Sequence, residues 1–419
     1  MKPRLIFTLL HRWAGLTIAA FIFFSGITGA IISWDHEIDE LINSDFLKTT
    51  STGPRIPPLD MLARAQAREP QAYVGYIKMV PDEGDTYEIG FQPRQNPATG
   101  KAYELGFNRI YYDPVSGAEV GRRERGAVWP INRANFVSFL YRLHYTLCAP
   151  QMWGIDRWGQ WLLGIVASIW TIDCFVGFYL TLPARNASPS SGDVAVHKAS
   201  ERRFWRRWWP SWKIKVRGSP YRINFDIHRA VGLWTWVVLF TIAFTGFSMN
   251  LSREVFMPAL SLISRVTPNV FNERPISDPN QPVAPKIDYP VILDRAEQDA
   301  RARGWSDPAG TMFYAARYGI YGVIFFAPGD ERDVSGVGPP ILYYDGQDGH
   351  YLGDRLPWKG TTADLFVQAQ FPLHSGRILG LPGRILISLM GLLSAALSVT
   401  GVVIWARKRR ARNIALAMK

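Results

Sequence analysis

The sequence predicts a membrane α-helical protein: four transmembrane helices in two parallel repeats, carrying two small extramembrane α+β domains. Three observations predict it. Four apolar runs, at about 14–34, 158–182, 230–251 and 382–405, reach the roughly 20 residues that a helix needs to cross a bilayer. The basic excess of the chain is confined to its short connections and tails. A motif, His-Arg-x-x-Gly-Leu, opens "HRWAGL" at His11 and "HRAVGL" at His228, each time ahead of an apolar run.

The elements follow in order. Residues 1–34 hold the first helix and 35–157 the first α+β domain. Residues 158–182 form the second helix and 183–229 a connecting loop. Residues 230–251 form the third helix, 252–381 the second α+β domain, 382–405 the fourth helix and 406–419 a basic tail. Residues 1–12 carry a net +3, 183–229 a net +8 and 406–419 a net +6, whereas the two long segments are −2 and −3. The positive-inside rule therefore places both termini and the 183–229 loop in the cytoplasm and both long segments outside. The basic stretches "RRFWRRWWPSWKIK" and "RKRRAR" read as topology signals resting on anionic lipid, so no nucleic-acid partner is expected. The aromatic clusters "FWRRWWPSW" and "WTW" read as interface belts. The first run reads as a retained anchor: it is longer than a signal-peptide core, and no small-x-small cleavage site follows "IISWDHEID".

Aligning His11 with His228 also matches Thr28-Gly29 with Thr245-Gly246 and Glu37 with Glu254. Each long segment has a helix-like stretch ("PLDMLARAQAR", "YPVILDRAEQDARARG") and then alternating strand-like runs. Each closes on Tyr-Tyr-Asp-x-x-x-Gly, a strand entering an Asp/Gly turn. "FVSFLYRLHYTL" and "LFVQAQFPLHSGRI" come next, and Gly159 and Gly177 of the second run match Gly383 and Gly401 of the fourth. A duplication whose halves each cross the membrane an even number of times is a parallel repeat about an axis along the membrane normal.

Four of the seven histidines fall at repeated positions: His11 and His228 ahead of spans one and three, His144 and His374 ahead of spans two and four. The symmetry sets each pair at one depth, face to face. A polar ring in a membrane region needs a partner, and two neutral imidazoles facing each other with no acid nearby suggest a shared metal. Zinc wants three or four protein ligands; haem needs only two axial ones. With Cys148 and Cys174 the only cysteines and no Cys-x-x-Cys, covalent haem attachment, iron–sulfur clusters and cysteine zinc sites lack ligands. No Gly-x-Gly-x-x-Gly after a strand and no Walker loop is present, so neither route to a nicotinamide or ATP is expected. Gly15, Gly26, Gly29, Gly232 and Gly246 would let a bulky macrocycle approach the helix backbone. Arg12, Arg229, Arg142 and Arg377 adjoin or approach the histidines and read equally as partners of haem propionates or as markers of the membrane boundary.

"HRWAGL…TG…HEID", the strand "YYDPVSGAEVG", "LH" before the second span and the second "DIHRAVGLW" resemble the PepSY-associated transmembrane family across nearly the whole chain. Members similar to this chain include inner-membrane ferric-siderophore reductases with four spans, two b haems and periplasmic PepSY-like domains. The resemblance implies axial ligation of two haem b by His11, His228, His144 and His374, in a multi-pass protein of the bacterial inner membrane. It implies electrons arriving from a quinol or a cytoplasmic reductase and a periplasmic ferric siderophore as acceptor. The alternative it leaves is a PepSY-type periplasmic binding or peptidase-regulating protein without redox activity. A transporter is disfavoured by the small number of charges in the spans and by the lack of an obvious broken helix pair.

Two further residues are weak catalytic candidates. Asp173, in the middle of span two, reads as a proton relay, a quinol contact or the partner of a neighbouring hydroxyl; its repeat counterpart is Leu397. His36, between Asp35 and Glu37, reads as lining an outer substrate site or as a solvated helix end. His197 and His350 are expected in exposed loops.

Overall fold

The computed structural model describes residues 3–184, 204–331 and 336–418; His197 lies outside them. In chain order the helices are α1 (Pro3–Ile32), α2 (Asp35–Ile42), α3 (Pro58–Arg68), α4 (Phe136–Thr146), α5 (Trp158–Thr181), α6 (Pro220–Trp234), α7 (Trp236–Asn250), α8 (Tyr289–Ala302), α9 (Thr362–Ser375) and α10 (Gly380–Ala417). The strands are β1 (Ala72–Lys78), β2 (Tyr87–Pro93), β3 (Arg109–Tyr112), β4 (Glu119–Arg123), β5 (Ala309–Ala315), β6 (Ile320–Phe325), β7 (Ile341–Asp345) and β8 (Tyr351–Arg355). Two compact units result. Met1–Ser33, Tyr141–Ala259 and Leu373–Lys419 form a helical unit; Trp34–Leu140 and Leu260–Pro372 form an α+β unit.

In the helical unit, Pro3–Ile32, Trp158–Thr181 and Arg377–Ala417 are long and apolar enough to cross a membrane. The helix α1 begins well before the expected start near residue 14. Pro3 sits at its first turn, where the missing N–H costs nothing, and no breaker interrupts "LIFTLLHRW". His11 therefore lies inside the helix rather than at its threshold. The expected single helix over 230–251 is instead two, α6 and α7, which meet the span criterion only together and are bent by 71°. A broken pair is thus present, contrary to the reading that set transport aside. The break falls at Thr235, whose hydroxyl and amide both bond Val231 O, at 2.7 and 3.0 Å; back-bonding of this kind accompanies helix bends. The flanking indoles hold the bend, Trp234 donating to Trp212 O at 3.1 Å and Trp236 to Cys174 O at 2.7 Å.

Two contacts set the helix spacing. Ile18 and Ile22 of α1 pack against Val166 of α5, with Phe21, Ile169 and Trp170 around them. The helices α1 and α10 touch backbone to backbone at Gly26 and Gly391: a Cβ on either would lie 2.5 Å from the other's carbonyl oxygen. Small residues allow such approach between membrane helices, where packing rather than hydrophobic burial holds them together. Arg384 of α10 donates to Ser33 O at 2.7 Å, satisfying a carbonyl that the end of α1 leaves free.

In the α+β unit, both halves show a helix followed by four antiparallel strands, as the alternation predicts. The expectation of two separate small domains is revised. All eight strands form one sheet of order β4-β3-β2-β1-β5-β6-β7-β8, joined where Tyr76–Lys78 pairs with Thr311–Phe313. The reason is physical: β1 and β5 would each be an open edge, and pairing them removes both rows of unpaired amides. One shared core spans both halves of the sheet. Ile89, Ile110, Met312, Val323 and Leu342 face Met61 and Ala65 of α3 and Ile292, Ala296 and Ala300 of α8. The Tyr289 hydroxyl bonds Val74 O at 2.8 Å across the halves.

Both Tyr-Tyr-Asp-x-x-x-Gly turns form as read. Gly117 and Gly349 adopt φ +70° and +73°, a left-handed conformation that favours glycine. Their amides return to Asp113 O and Asp345 O, each at 2.9 Å. Burial raises the Asp113 carboxyl, but donation from Ser116 and Thr49 outweighs it and holds the group well below the usual carboxylate range. These two aspartates are turn-holders.

Candidate functional site

Within the helical unit the four repeated histidines meet in two pairs. His11 on α1 faces His228 on α6, with ring centres 6.2 Å apart and ring planes at 57°. His144 on α4 faces His374 on α9 at 6.1 Å and 59°. Metal–imidazole bonds of about 2 Å on either side of one ion put the ring centres roughly 6 Å apart. Both pairs have the spacing of two imidazoles sharing a single metal.

The outer partners of the rings fix their tautomers. His374 Nδ1 lies 2.9 Å from Thr245 Oγ1, whose own proton goes to Thr241 O at 2.6 Å, so the imidazole is the donor. His228 Nδ1 donates likewise to Thr400 Oγ1 at 2.9 Å, that hydroxyl being committed to Leu397 O at 2.9 Å. His144 Nδ1 donates to Ser25 O at 3.0 Å and to Thr28 Oγ1 at 3.2 Å, with the Thr28 proton on Phe24 O at 2.7 Å. His11 Nδ1 lies 3.0 Å from both carboxylate oxygens of Asp173. Every acceptor demands a proton on Nδ1, so each ring, when neutral, carries its lone pair on Nε2. Partners of this kind fix the tautomer and orientation of metal-bound histidines.

Four glycines seat the rings. A Cβ on Gly177 would lie 3.4 Å from His11 Cε1, one on Gly401 3.2 Å from His228 Cε1, and one on Gly246 3.6 Å from His374 Cε1. On Gly29 it would lie 2.9 Å from His144 Cε1. Gly29 and Gly246 thus make room for imidazoles, and Gly26 makes room for α10. Gly15 and Gly232, one turn after His11 and His228 and on the same helix faces, meet no polypeptide atom within 4 Å of such a Cβ. The glycine contacts predict a graded response. Gly29→Ala should overpack His144 and destabilise by about 1–3 kcal/mol, whereas Gly246→Ala, at ordinary contact distance, should be nearly neutral. Thermal unfolding of the full chain in detergent reads both.

The remaining candidates are placed as follows. Asp173 is buried in α5, and among the described residues His11 is its hydrogen-bond partner. Arg229 is committed to buried Asp226 at 2.8 Å and to Pro210 O at 2.7 Å. Arg142 reaches Tyr145 Oη at 3.3 Å, with its Nε buried and lacking an acceptor. The Arg12 side chain makes no hydrogen bond or ion pair among the described residues. Arg377 opens the short turn that leads into α10. His36 is exposed on α2, in the α+β unit. His350 is exposed at the β7–β8 turn, 2.6 Å from Asp348.

Among the described residues, Asp345, Asp348 and His350 are the only three potential metal ligands that converge within bonding reach of one another, and Asp345 is already ion-paired with Arg274. Among the described residues, neither histidine pair belongs to such a group of three. Each pair offers two ring nitrogens.

Sequence reasoning missed the supporting shell of Ser25 O, Thr28, Thr245 and Thr400, and its expectation of no acid near the facing rings is corrected by Asp173, 3.0 Å from His11. The repeated Thr-Gly dipeptide was the available signal for Thr28 and Thr245.

No curated protein matches the chain. A family model described as the PepSY-associated TM region matches residues 8–408. With that match over nearly its whole length, the chain belongs to the PepSY-associated transmembrane family.

Proposed function

We propose that the protein is a di-haem transmembrane oxidoreductase of the bacterial inner membrane that passes electrons to a periplasmic ferric siderophore. One observation carries the reading: two facing pairs of imidazoles, with ring centres 6.2 and 6.1 Å apart and each ring bonded to the protein through Nδ1. Haem b suits this donor set, because the porphyrin brings the four equatorial nitrogens that the chain lacks. Bound there, it supplies a reversible one-electron couple.

The chain's residues do the rest. His11 and His228 would hold one group and His144 and His374 the other. Thr400, Thr245, Thr28 and Ser25 O orient the rings, and the glycines set their depth. Arg142 and Arg229 each keep a buried Nε without an acceptor, which suits a propionate; Arg229 is also held by Asp226. Four spans in two parallel repeats, with the bent α6–α7 pair as the third, and cytoplasmic basic segments complete the arrangement. A quinol or a cytoplasmic reductase would supply each electron near the first pair. The ferric chelate would receive it near the second, giving Fe(II), which hard siderophore oxygens hold less tightly.

The test is stopped-flow mixing of the dithionite-reduced full-length protein with several ferric siderophores, followed at the haem absorbance. Reoxidation well above the buffer rate is expected. Reoxidation by a quinone but by no ferric chelate would replace the acceptor and make the protein a link in a redox-maintenance chain. The bent pair favours a second reading, transport, since broken helices build many carrier sites; a purified protein free of haem would turn the assignment that way.

A further inference from the structure

The two pairs are alike in spacing, tilt and glycine seating, but they differ in one respect. Three of the four imidazoles donate to neutral oxygens: Thr400 Oγ1, Thr245 Oγ1, and Ser25 O with Thr28 Oγ1. The fourth, His11, donates to the carboxylate of Asp173, with both oxygens 3.0 Å from Nδ1. Asp173 is only 9% exposed, and no lysine or arginine pairs with it among the described residues. The sequence shows that the asymmetry is built in, for the equivalent position of the other half is Leu397 and the His228 partner is Thr400, one turn further on.

A buried acid in a membrane helix is costly and marks function. A carboxylate behind a metal-bound histidine makes that ring a stronger electron donor. Its negative charge, acting in a low-dielectric surround, also favours the more positive, oxidised state of whatever the ring ligates. Both effects have the same sign, and both act on the first pair alone.

We infer that Asp173 is a positioning residue that acts through His11 to make the His11–His228 site the lower-potential centre of the two, and so sets the direction of electron flow toward His144–His374. The inference rests on the di-haem reading above and adds to it. Hydrogen bonds and net charge at the ligands are among the chief levers on such potentials. A single charge at one end of an otherwise duplicated bundle converts a symmetric pair of sites into a downhill one.

The experiment is a redox titration of the full-length protein in detergent, followed by absorbance and by low-temperature electron paramagnetic resonance. The wild type should show two one-electron couples at least tenfold apart in equilibrium constant, which is about 59 mV. His144→Ala, which leaves only the first pair loaded, should retain the lower couple. Asp173→Asn keeps an acceptor but removes the charge. It should raise the lower couple by at least tenfold, leave the upper one in place and preserve the six-coordinate low-spin signal. Asp173→Glu should restore part of the shift. Two bound haems whose couples both ignore Asp173→Asn, or a His144→Ala protein that retains the higher couple, would overturn this inference and leave the di-haem reading standing. A preparation without haem overturns both. If Asp173→Asn loses the first haem, the couple retained by His144→Ala decides alone.

Discussion

Replacing His144 or His374 by alanine should halve the haem content of the purified protein, from two per chain to one, and leave the spectrum of the His11–His228 site intact. His11→Ala or His228→Ala should do the reverse. The magnitude follows from the donor count. Each site draws only two bonds from the protein, so removing one ring removes half of the chain's direct hold on the metal. Loss of a supporting partner alone typically costs 10–100-fold in metal affinity, and loss of a ligand should exceed that. The pairwise pattern is the diagnostic part, because the ring centres lie 6.2 and 6.1 Å apart within the pairs. His197→Ala and His350→Ala should change nothing, nor should His36→Ala. Pyridine haemochrome assay of each variant decides the count, and acid–acetone should extract all the haem, since no thioether link is possible. If His36→Ala removes a haem while His144→Ala does not, the second pair is assigned wrongly.

The pairs were legible because two weak signals coincide at the same positions. A histidine near a membrane helix end is ordinary; four of them at matching places of a duplicated sequence are not. The glycines Gly29, Gly246, Gly177 and Gly401 were legible as repeats, but not for what they do. Their work is to leave space for an imidazole edge on a neighbouring helix, and no spacing rule along the chain shows which neighbour that is. Asp173 was visible as an oddity without a role, because its partner lies 162 residues away and it has no counterpart in the other half. Alternation showed the strands, yet it does not say which edges meet. Joining Tyr76–Lys78 to Thr311–Phe313 is a choice made by two open edges in space. The break at Thr235 was hidden for a third reason. Hydropathy averages over a window, and a bend of 71° at one threonine between two tryptophans leaves that average high.

Gly15→Leu and Gly232→Leu should each expel the haem of the first pair and spare the second, taking the content from two to one with the fold intact. Each glycine lies one turn after its histidine on the same helix face, and a Cβ there meets no polypeptide atom within 4 Å. A leucine side chain would therefore start in space free of polypeptide and would conflict with a macrocycle held between His11 and His228. Gly26→Leu is the contrasting case. Its Cβ would fall 2.5 Å from Gly391 O and 2.6 Å from Ser394 Oγ, so α1 and α10 must part. The helix α1 bears His11 and, through Ser25 and Thr28, orients His144, while α10 bears Thr400 behind His228. Parting them disturbs both sites at once, and both haems should be lost together with thermal stability. Haem content beside the unfolding temperature separates the two kinds of glycine. If Gly15→Leu and Gly232→Leu keep two haems with unchanged spectra, no porphyrin lies along those helix faces, and the first pair must hold something smaller.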